Sequence, residues 1–366
     1  MMVDTAARAL IIDGVRTPRG RAKSDGALHD LHPQELLAQT LNALGKRVHF
    51  DPNDVEDAII GCASGSGDHD MCIGRLALIA AGWPIHVPGL TVNRYCGSGQ
   101  QALNLAAMAI VSGEHDLLVA GGVESMSRYV PSGQTMDAGN LELRERTMLV
   151  GQGVAADLMA TLGKFTRDEL DAFAKRSHDR AAEAQGKGYF KRSLISVNKP
   201  DGSIALVADE APRTGVTMEA LAVLKPAFAA AGAASIPGFP RTQDEACIAA
   251  YPEIETVNHL HHAGNSSGRS DGASAMLLAS PRFAREAGMK ARARVRRTAV
   301  LGGDPITMLA VPPDASQLCL DRAGMRVEDI DLWEINEAFA VVPLYTARKL
   351  NIDPDRINVN GGAIAL

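Results

Sequence analysis

Val92-Asn93-Arg94-Tyr95-Cys96-Gly97-Ser98-Gly99-Gln100-Gln101-Ala102-Leu103 is the stretch on which the reading of the chain turns. A short β-like run from Gly89 to Tyr95 meets a cysteine, and two glycines follow. The Ala/Leu/Met/Ile-rich run to about Val111 then reads as a buried helix. A thiol at such a junction faces a helix N-terminus, where free N–H groups and the macrodipole favour the thiolate. Gly97 and Gly99 leave room for backbone or substrate to approach closely. The order is that of a nucleophile elbow carrying cysteine in place of serine. Taken locally, Cys96 is either that reactive thiol or an inert core thiol.

Working outward, strands alternate with helices. Ala9-Leu10-Ile11-Ile12 reads as a strand ended by Asp13-Gly14, and Arg16-Thr17-Pro18-Arg19-Gly20 as a turn-rich loop. Leu36, Leu37, Thr40, Leu41 and Leu44 recur at helical spacing between Pro33 and Leu44. Ala58-Ile59-Ile60-Gly61 is a strand, Met71 to Ala81 a helix stopped by Gly82-Trp83-Pro84, and Asp116 to Gly122 a further strand. The alternation implies an α/β fold with a largely parallel sheet. The region from 128 to 257 is different: a polar loop, a helix from Arg167 to Gln185, and a Gly/Pro-rich stretch from Ala229 to Tyr251.

The last third repeats the first. Val327-Glu328-Asp329 leads into the hydrophobic run Ile330 to Asn336, as Val55-Glu56-Asp57 leads into Ala58 to Gly61. Asn358-Val359-Asn360-Gly361-Gly362 repeats the strand-to-glycine junction before Cys96, so a two-fold α/β repeat is expected. The expected division is 1–127 for the first half, 128–257 for an inserted loop region with the return of that half, and 258–366 for an incomplete second half. After Gly362 only four residues remain, and the chain reads as truncated, because an opened apolar helix would be left facing water.

Composition bounds the partners. The 366 residues are 46% hydrophobic and only 4% aromatic, long enough for two cores built from small side chains. A formal charge of −6 gives no basic excess with which to neutralise nucleic acid. No run approaches the ~20 apolar residues of a membrane span, and the first residues show no secretory pattern. Five cysteines, at 62, 72, 96, 247 and 319, form no CxxC pair and fit a reducing, cytoplasmic or organelle-matrix setting. His259, His261 and His262 lack the i, i+4 spacing of a helical metal pair and a nearby ligand cysteine, so no metal is expected.

Several motifs together resemble the thiolase family. They are Asn93 to Ala102 around Cys96, Arg16-Thr17-Pro18, Gly121-Gly122-Val123-Glu124-Ser125-Met126-Ser127, and His262-Ala263-Gly264-Asn265-Ser266-Ser267 with Ser270-Asp271-Gly272-Ala273. Asn336-Glu337-Ala338-Phe339-Ala340 and Asn360-Gly361-Gly362-Ala363-Ile364-Ala365-Leu366 complete the set, in the family's order. The resemblance implies a five-layered α-β-α-β-α core of two duplicated α/β halves with an inserted loop domain. It implies thiolytic cleavage of 3-ketoacyl-CoA to acetyl-CoA and a shortened acyl-CoA, or the reverse condensation. Cys96 would be the acyl-carrying nucleophile, with its amide in an oxyanion hole, and Asn336 would position a water for a second one. Coenzyme A would be a co-substrate, with no permanently bound cofactor. Arg213, Leu224, Phe228, Ala263 and Ser267 would contact it; Gln152, Met308 and Phe339 would line the substrate pocket. Local alternatives stand beside these: Asn336 as a helix cap, Ser267 as a turn residue, Arg213 as a solvated side chain, Met308 as core.

The resemblance also implies a homodimer or homotetramer, with the loop from Pro131 to Asn140 as a tetramer contact and membership of a β-oxidation complex as one option. Departures are informative. The family's activating histidine and second catalytic cysteine lie beyond Leu366, so this chain alone is expected not to turn over. Gln152 stands where short-chain members carry an apolar residue, the Ala229 to His262 link is long, and Leu309, Ala310 and Val311 replace glycines. A degradative enzyme taking acyl chains longer than acetoacetyl is therefore expected. The competing readings are an acetoacetyl-CoA-forming acetyltransferase, another condensing enzyme such as a ketoacyl synthase, disfavoured by Asn336 to Phe339, and a non-catalytic remnant or scaffold subunit.

Overall fold

A computed structural model describes residues 8–130, 137–235 and 238–366. Most of the expected tetramer loop, residues 131–136, lies outside them. The chain forms two compact units. One comprises Met1–Ser132, Phe190–Ala211 and Arg269–Thr298; the other comprises Gly133–Tyr189, Pro212–Gly268 and Ala299–Leu366.

Among the described residues the first unit holds nine strands: β1 (Leu10–Arg16), β2 (Gly20–Arg21), β3 (Asp57–Gly61), β4 (Gly89–Val92), β5 (Leu117–Ser125), β6 (Val197–Asn198), β7 (Ile204–Leu206), β8 (Ser270–Ala279) and β9 (Ala293–Arg294). The main sheet runs β4-β3-β5-β8-β1-β9, with β2 beside β8. Only β4, β3 and β5 are parallel; β8 runs antiparallel to both β5 and β1. The sheet is therefore mixed rather than largely parallel. β8 arrives after a long excursion through the other unit, not through a single crossover helix, and nothing constrains it to the parallel sense. Helices Pro33–Val48 and Ile73–Ala80 bury Leu36, Leu37, Leu41, Leu44, Ile73 and Leu78 with Ile60, Val119 and Leu277 in one core. Helix Ser98–Ser112 packs Ala102, Ala106 and Ile110 with Ile59, Leu118 and Leu278 in another.

β1 does not stop at Asp13-Gly14. A bulge after Ile11 lets it continue to Arg16 along β8. Asp13, a poor strand former, is held by Arg47 at 3.3 Å, by Arg292 and by the Gly14 amide at 2.7 Å.

The second unit is built on helices Gln152–Leu162, Arg167–Gly186, Pro312–Ala323 and Val341–Leu350. A capping box of Thr166 and Glu169 starts the 20-residue helix. Ala156, Met159, Phe165, Leu170, Phe173, Phe339, Val341 and Val342 form the core. The strands expected at Ile330 to Asn336 and Asn358 to Gly362 do not form as ladders. The first makes one parallel bridge, Trp333 to Ile357, the residue just before the second. A strand requires continuous partners, and among the described residues these segments find only each other. The parallel sense is nevertheless that of β3 beside β4, so the order of the repeat survives.

Candidate active site

Cys96 lies in the first unit, at the turn between β4 and helix Ser98–Ser112, and is exposed. The elbow is wound tightly. Tyr95 takes a left-handed conformation with φ 48°. The amides of Gly97 and Ser98 donate to the carbonyls of Arg94 and Tyr95, each at 3.0 Å. Ser98 Oγ donates to the Tyr95 carbonyl at 2.6 Å and accepts from the Arg94 amide at 2.9 Å, while Asn93 Oδ1 accepts from the Tyr95 amide at 2.9 Å. Gly97 serves as N-cap, which puts Cys96 one residue outside the helix.

The helix reaches this position because Gly61 ends β3. A Cβ there would lie 2.5 Å from the Gly99 nitrogen, so only glycine lets the first turn sit on the strand end. Beside it, Glu124 of β5 ties down the loop after β3 by accepting the Ala63 amide at 2.8 Å and the Ser64 hydroxyl.

Two of the other cysteines have thiols held up by burial and neighbouring charge. Burial, then the Glu124 charge, pushes the Cys62 thiol up to about 11; burial, then Asp244, pushes Cys247 up to about 12. Both stay protonated at neutral pH.

The remaining expected site residues belong to the second unit. Asn336 is exposed, and it is not a helix cap, because Ala340 occupies the cap of Val341–Leu350. Phe228 and Phe339 stack edge to face at 5.7 Å between centroids. Phe228 also lies against Gly153, where a Cβ would collide with its ring, next to exposed Gln152 at the first turn of its helix. The Ser267 amide donates to the Ala338 carbonyl at 3.0 Å, with Ala263 exposed four residues earlier. Leu224 lies beside Gly264. Met308 packs with Phe228 against a cluster of Val154, Leu158 and Cys247. Arg213 is exposed.

Two features escaped the sequence reading. Glu337 is buried, and its carboxylate accepts from Ser177 Oγ at 2.6 Å, Asn358 Nδ2 at 2.8 Å and the Ile364 amide at 3.1 Å. Asn358 also exchanges two 2.8 Å bonds with the Ile335 backbone through its side-chain amide. These bonds fix Glu337, the residue that follows Asn336. A carboxylate inside an otherwise apolar run, Ala338-Phe339-Ala340-Val341-Val342, was the available signal.

The histidine run is the second. His259 bridges Asp157 at 2.8 Å and Asp244 at 3.1 Å, His261 binds Asp157 at 2.8 Å, and His262 binds Asp171 at 2.9 Å. Burial raises the Asp157 carboxyl, but the bonds and charge of His261 and the amides of Leu260 and His261 outweigh it, and the pKa is lowered. For His259 burial opposes the charge, yet the bonds to Asp157 and Asp244 prevail and its pKa is raised.

Similarity to known proteins bears on this geometry. The thiolase N-terminal domain family matches residues 9–249 and the thiolase C-terminal domain family matches residues 289–366. This chain belongs to the thiolase family. A 3-ketoacyl-CoA thiolase of Serratia proteamaculans is 39% identical over 98% of this thiolase and 87% of its own length. The steroid 3-ketoacyl-CoA thiolase FadA6 of Mycobacterium tuberculosis is 36% identical over 98% of this thiolase and 83% of its own length. The crystal structure of the Bacillus anthracis acetyl-CoA acetyltransferase superposes with a TM-score of 0.81 at 32% identity, covering 99% of this thiolase and 88% of that chain. The α/β fold described above is thus the thiolase fold. No helix among the described residues of this thiolase is long and apolar enough to cross a membrane.

Proposed function

We propose that this thiolase cleaves 3-ketoacyl-CoA by transferring the shortened acyl group through Cys96, in the manner of fatty-acid β-oxidation. The thiolate sulfur attacks the 3-keto carbon and the C2–C3 bond breaks. Its electron pair leaves on acetyl-CoA as an enolate that is then protonated, and CoA displaces the acyl group from sulfur. The observation that carries this reading is the exposed Cys96 on a tightly bonded turn at a helix start. Asn336, exposed and backed by the Glu337 network, fits the role of orienting a water at the developing enolate. Phe228, Leu224, Ala263 and Ser267 serve as the CoA side of the second unit, with Arg213 for the nucleotide phosphates; Met308, Gln152 and Phe339 serve the acyl side.

Acyl chains longer than acetoacetyl are the preferred substrates. Support comes from exposed polar Gln152 and from Leu309 to Val311 in place of glycines. The acetoacetyl-CoA-forming direction has the structural neighbour's name in its favour, at lower identity. We read the protein as cytoplasmic, consistent with five free cysteines, and as a homo-oligomer. β4 is the open edge of the sheet, and Leu90 on it and Met71, Ile79 and Ile85 in the segments leading to it are exposed.

The test is to incubate the purified protein with a medium-chain 3-ketoacyl-CoA and follow acetyl-CoA release and the mass of the Cys96 peptide. Release of acetyl-CoA with an acyl adduct confined to Cys96 is expected of the protein when it carries the family's activating histidine and second cysteine, the groups without which no turnover is expected. Acetyl-CoA formation with no adduct at Cys96, or none of either, would overturn the assignment.

A further inference from the structure

The turn that carries Cys96 has little packing to hold it. Asn93, Arg94, Tyr95 and Cys96 are all exposed, Tyr95 to 73%, and the left-handed angle at Tyr95 is one that a residue with a Cβ avoids. Its shape therefore depends on hydrogen bonds, and these reach it from two sides. Ser98, buried, grips Arg94 and Tyr95 from the helix. Asn93 grips it from the opposite side.

The β3–β4 ladder ends where the Cys62 amide donates to the Val92 carbonyl at 3.1 Å. One residue further, a side chain takes over. Asn93 Nδ2 donates to the Ala63 carbonyl at 3.0 Å, while Asn93 Oδ1 accepts the Tyr95 amide at 2.9 Å, an i to i+2 bond of the kind that closes a tight turn. The carboxamide uses a donor and an acceptor at once, which an ionised carboxylate there could not do. Ala63 lies in a loop and is held in turn. Its amide donates to Glu124 Oε2 at 2.8 Å, and the hydroxyl of Ser64 donates to Oε1. Glu124 stands on a fixed element: it pairs with Gly272 in the β5–β8 ladder, and the next amide, Ser125, donates to buried Nε2 of His69 at 2.9 Å. The connection from Glu124 through Ala63 and Asn93 to Tyr95 has no step longer than 3.0 Å and stays within the first unit.

We infer that Glu124 and Asn93 are positioning residues for the Cys96 thiol, joined in one relay that carries the rigidity of β5 out to the turn. This rests on the reading of Cys96 as the nucleophile. A reacting sulfur must be presented within a narrow range of place and angle, and sites gain that precision from the regular elements behind them. Glu124 acts through Ala63 and Asn93, and Asn93 acts through Tyr95.

The full chain with S-phenyl thioacetate, at mildly alkaline pH, tests it. The Cys96 sulfur takes the acetyl group and thiophenolate leaves, so the step calls on no CoA site. The rate is read from the acetyl mass gained by the Cys96 peptide, beside the melting temperature of the same sample. Asn93→Ala and Glu124→Ala are each expected to slow acetylation about tenfold in protein that is still folded. The double variant should be no slower than either, because both cut one path. Glu124→Gln keeps an oxygen for the Ala63 amide and should recover most of the loss. Unchanged rates in the single variants overturn the inference, even if melting temperatures fall, and so do losses that multiply in the double variant, the sign of two separate structural defects. Should Glu124→Ala not fold, Asn93→Ala at its exposed position decides, and an unchanged rate there is enough to overturn the relay. Unsubstituted protein that gains no acetyl group at Cys96 removes the nucleophile reading and the relay with it, a failure distinct from acetylation that survives in the variants.

Discussion

Replacing Cys96 by serine removes the sulfur that is to carry the acyl group while leaving an exposed side chain of nearly the same size. Acyl transfer should fall by about 10³-fold or more, with the melting temperature and CoA binding unchanged, as measured by thiolysis assay, thermal denaturation and calorimetry on one sample. Glu337 is the opposite case. Glu337→Gln replaces one accepting oxygen with an amide N–H₂, so at least one of the three donors loses its acceptor, and about 1–3 kcal/mol of stability should be lost in denaturant titration; retained stability would mean that the displaced donor finds another acceptor. The turn around Cys96 was legible because its strand, glycines and helix are contiguous in sequence. Glu337 was not, because its partners are 160, 21 and 27 positions away and the bonds exist only after folding. The histidines have a measurable pH signature. Asp157, with its pKa lowered, stabilises the fold above about pH 4, and that contribution is lost as pH falls through its folded value. His259, with its pKa raised, contributes fully below about pH 6.5 and loses this as pH rises through its folded value. Melting temperature should therefore decline on both sides of a mildly acidic plateau, and His259→Gln should flatten the alkaline arm; superimposable profiles would exclude His259 as the source.

At the scale of elements, the turn that carries the proposed nucleophile depends on how closely helix Ser98–Ser112 approaches the end of β3. Gly61→Ala inserts a methyl 2.5 Å from the Gly99 nitrogen, and the helix start must shift. Stability should fall by roughly 1–3 kcal/mol and kcat should fall more than the affinity for CoA, whose expected contacts lie in the other unit. Helical periodicity was enough to place Pro33–Val48 and Arg167–Gly186, since each buries one stripe. Strands were harder. β1 outran its Asp-Gly stop because Arg47 and Arg292 neutralise Asp13 within the ladder. Ile330 to Asn336 has the composition of a strand, yet strand formation is a property of neighbours, and a single bridge to Ile357 is what those neighbours provide.

At the scale of the whole molecule, the chain enters the first unit three times and the second three times, and it was the alternation of strand and helix signals that made the α/β architecture legible. The antiparallel placement of β8 was hidden, because the direction of a returning strand depends on the path of the excursion before it. If the β4 edge joins copies of this chain, Leu90→Lys should convert a dimeric mass in light scattering to a monomeric one, and a monomer before substitution would remove that edge from consideration. Tyr95 deserves its last weight here. A non-glycine residue held left-handed costs about 1–2 kcal/mol, a sizeable fraction of the roughly 5–15 kcal/mol that keeps a domain folded. Natural chains tolerate such a concession where chemistry requires it. With Cys96 as the proposed nucleophile, stability and catalysis compete at one backbone angle: glycine in place of Tyr95 would make a sturdier protein with a slacker turn beneath that thiol.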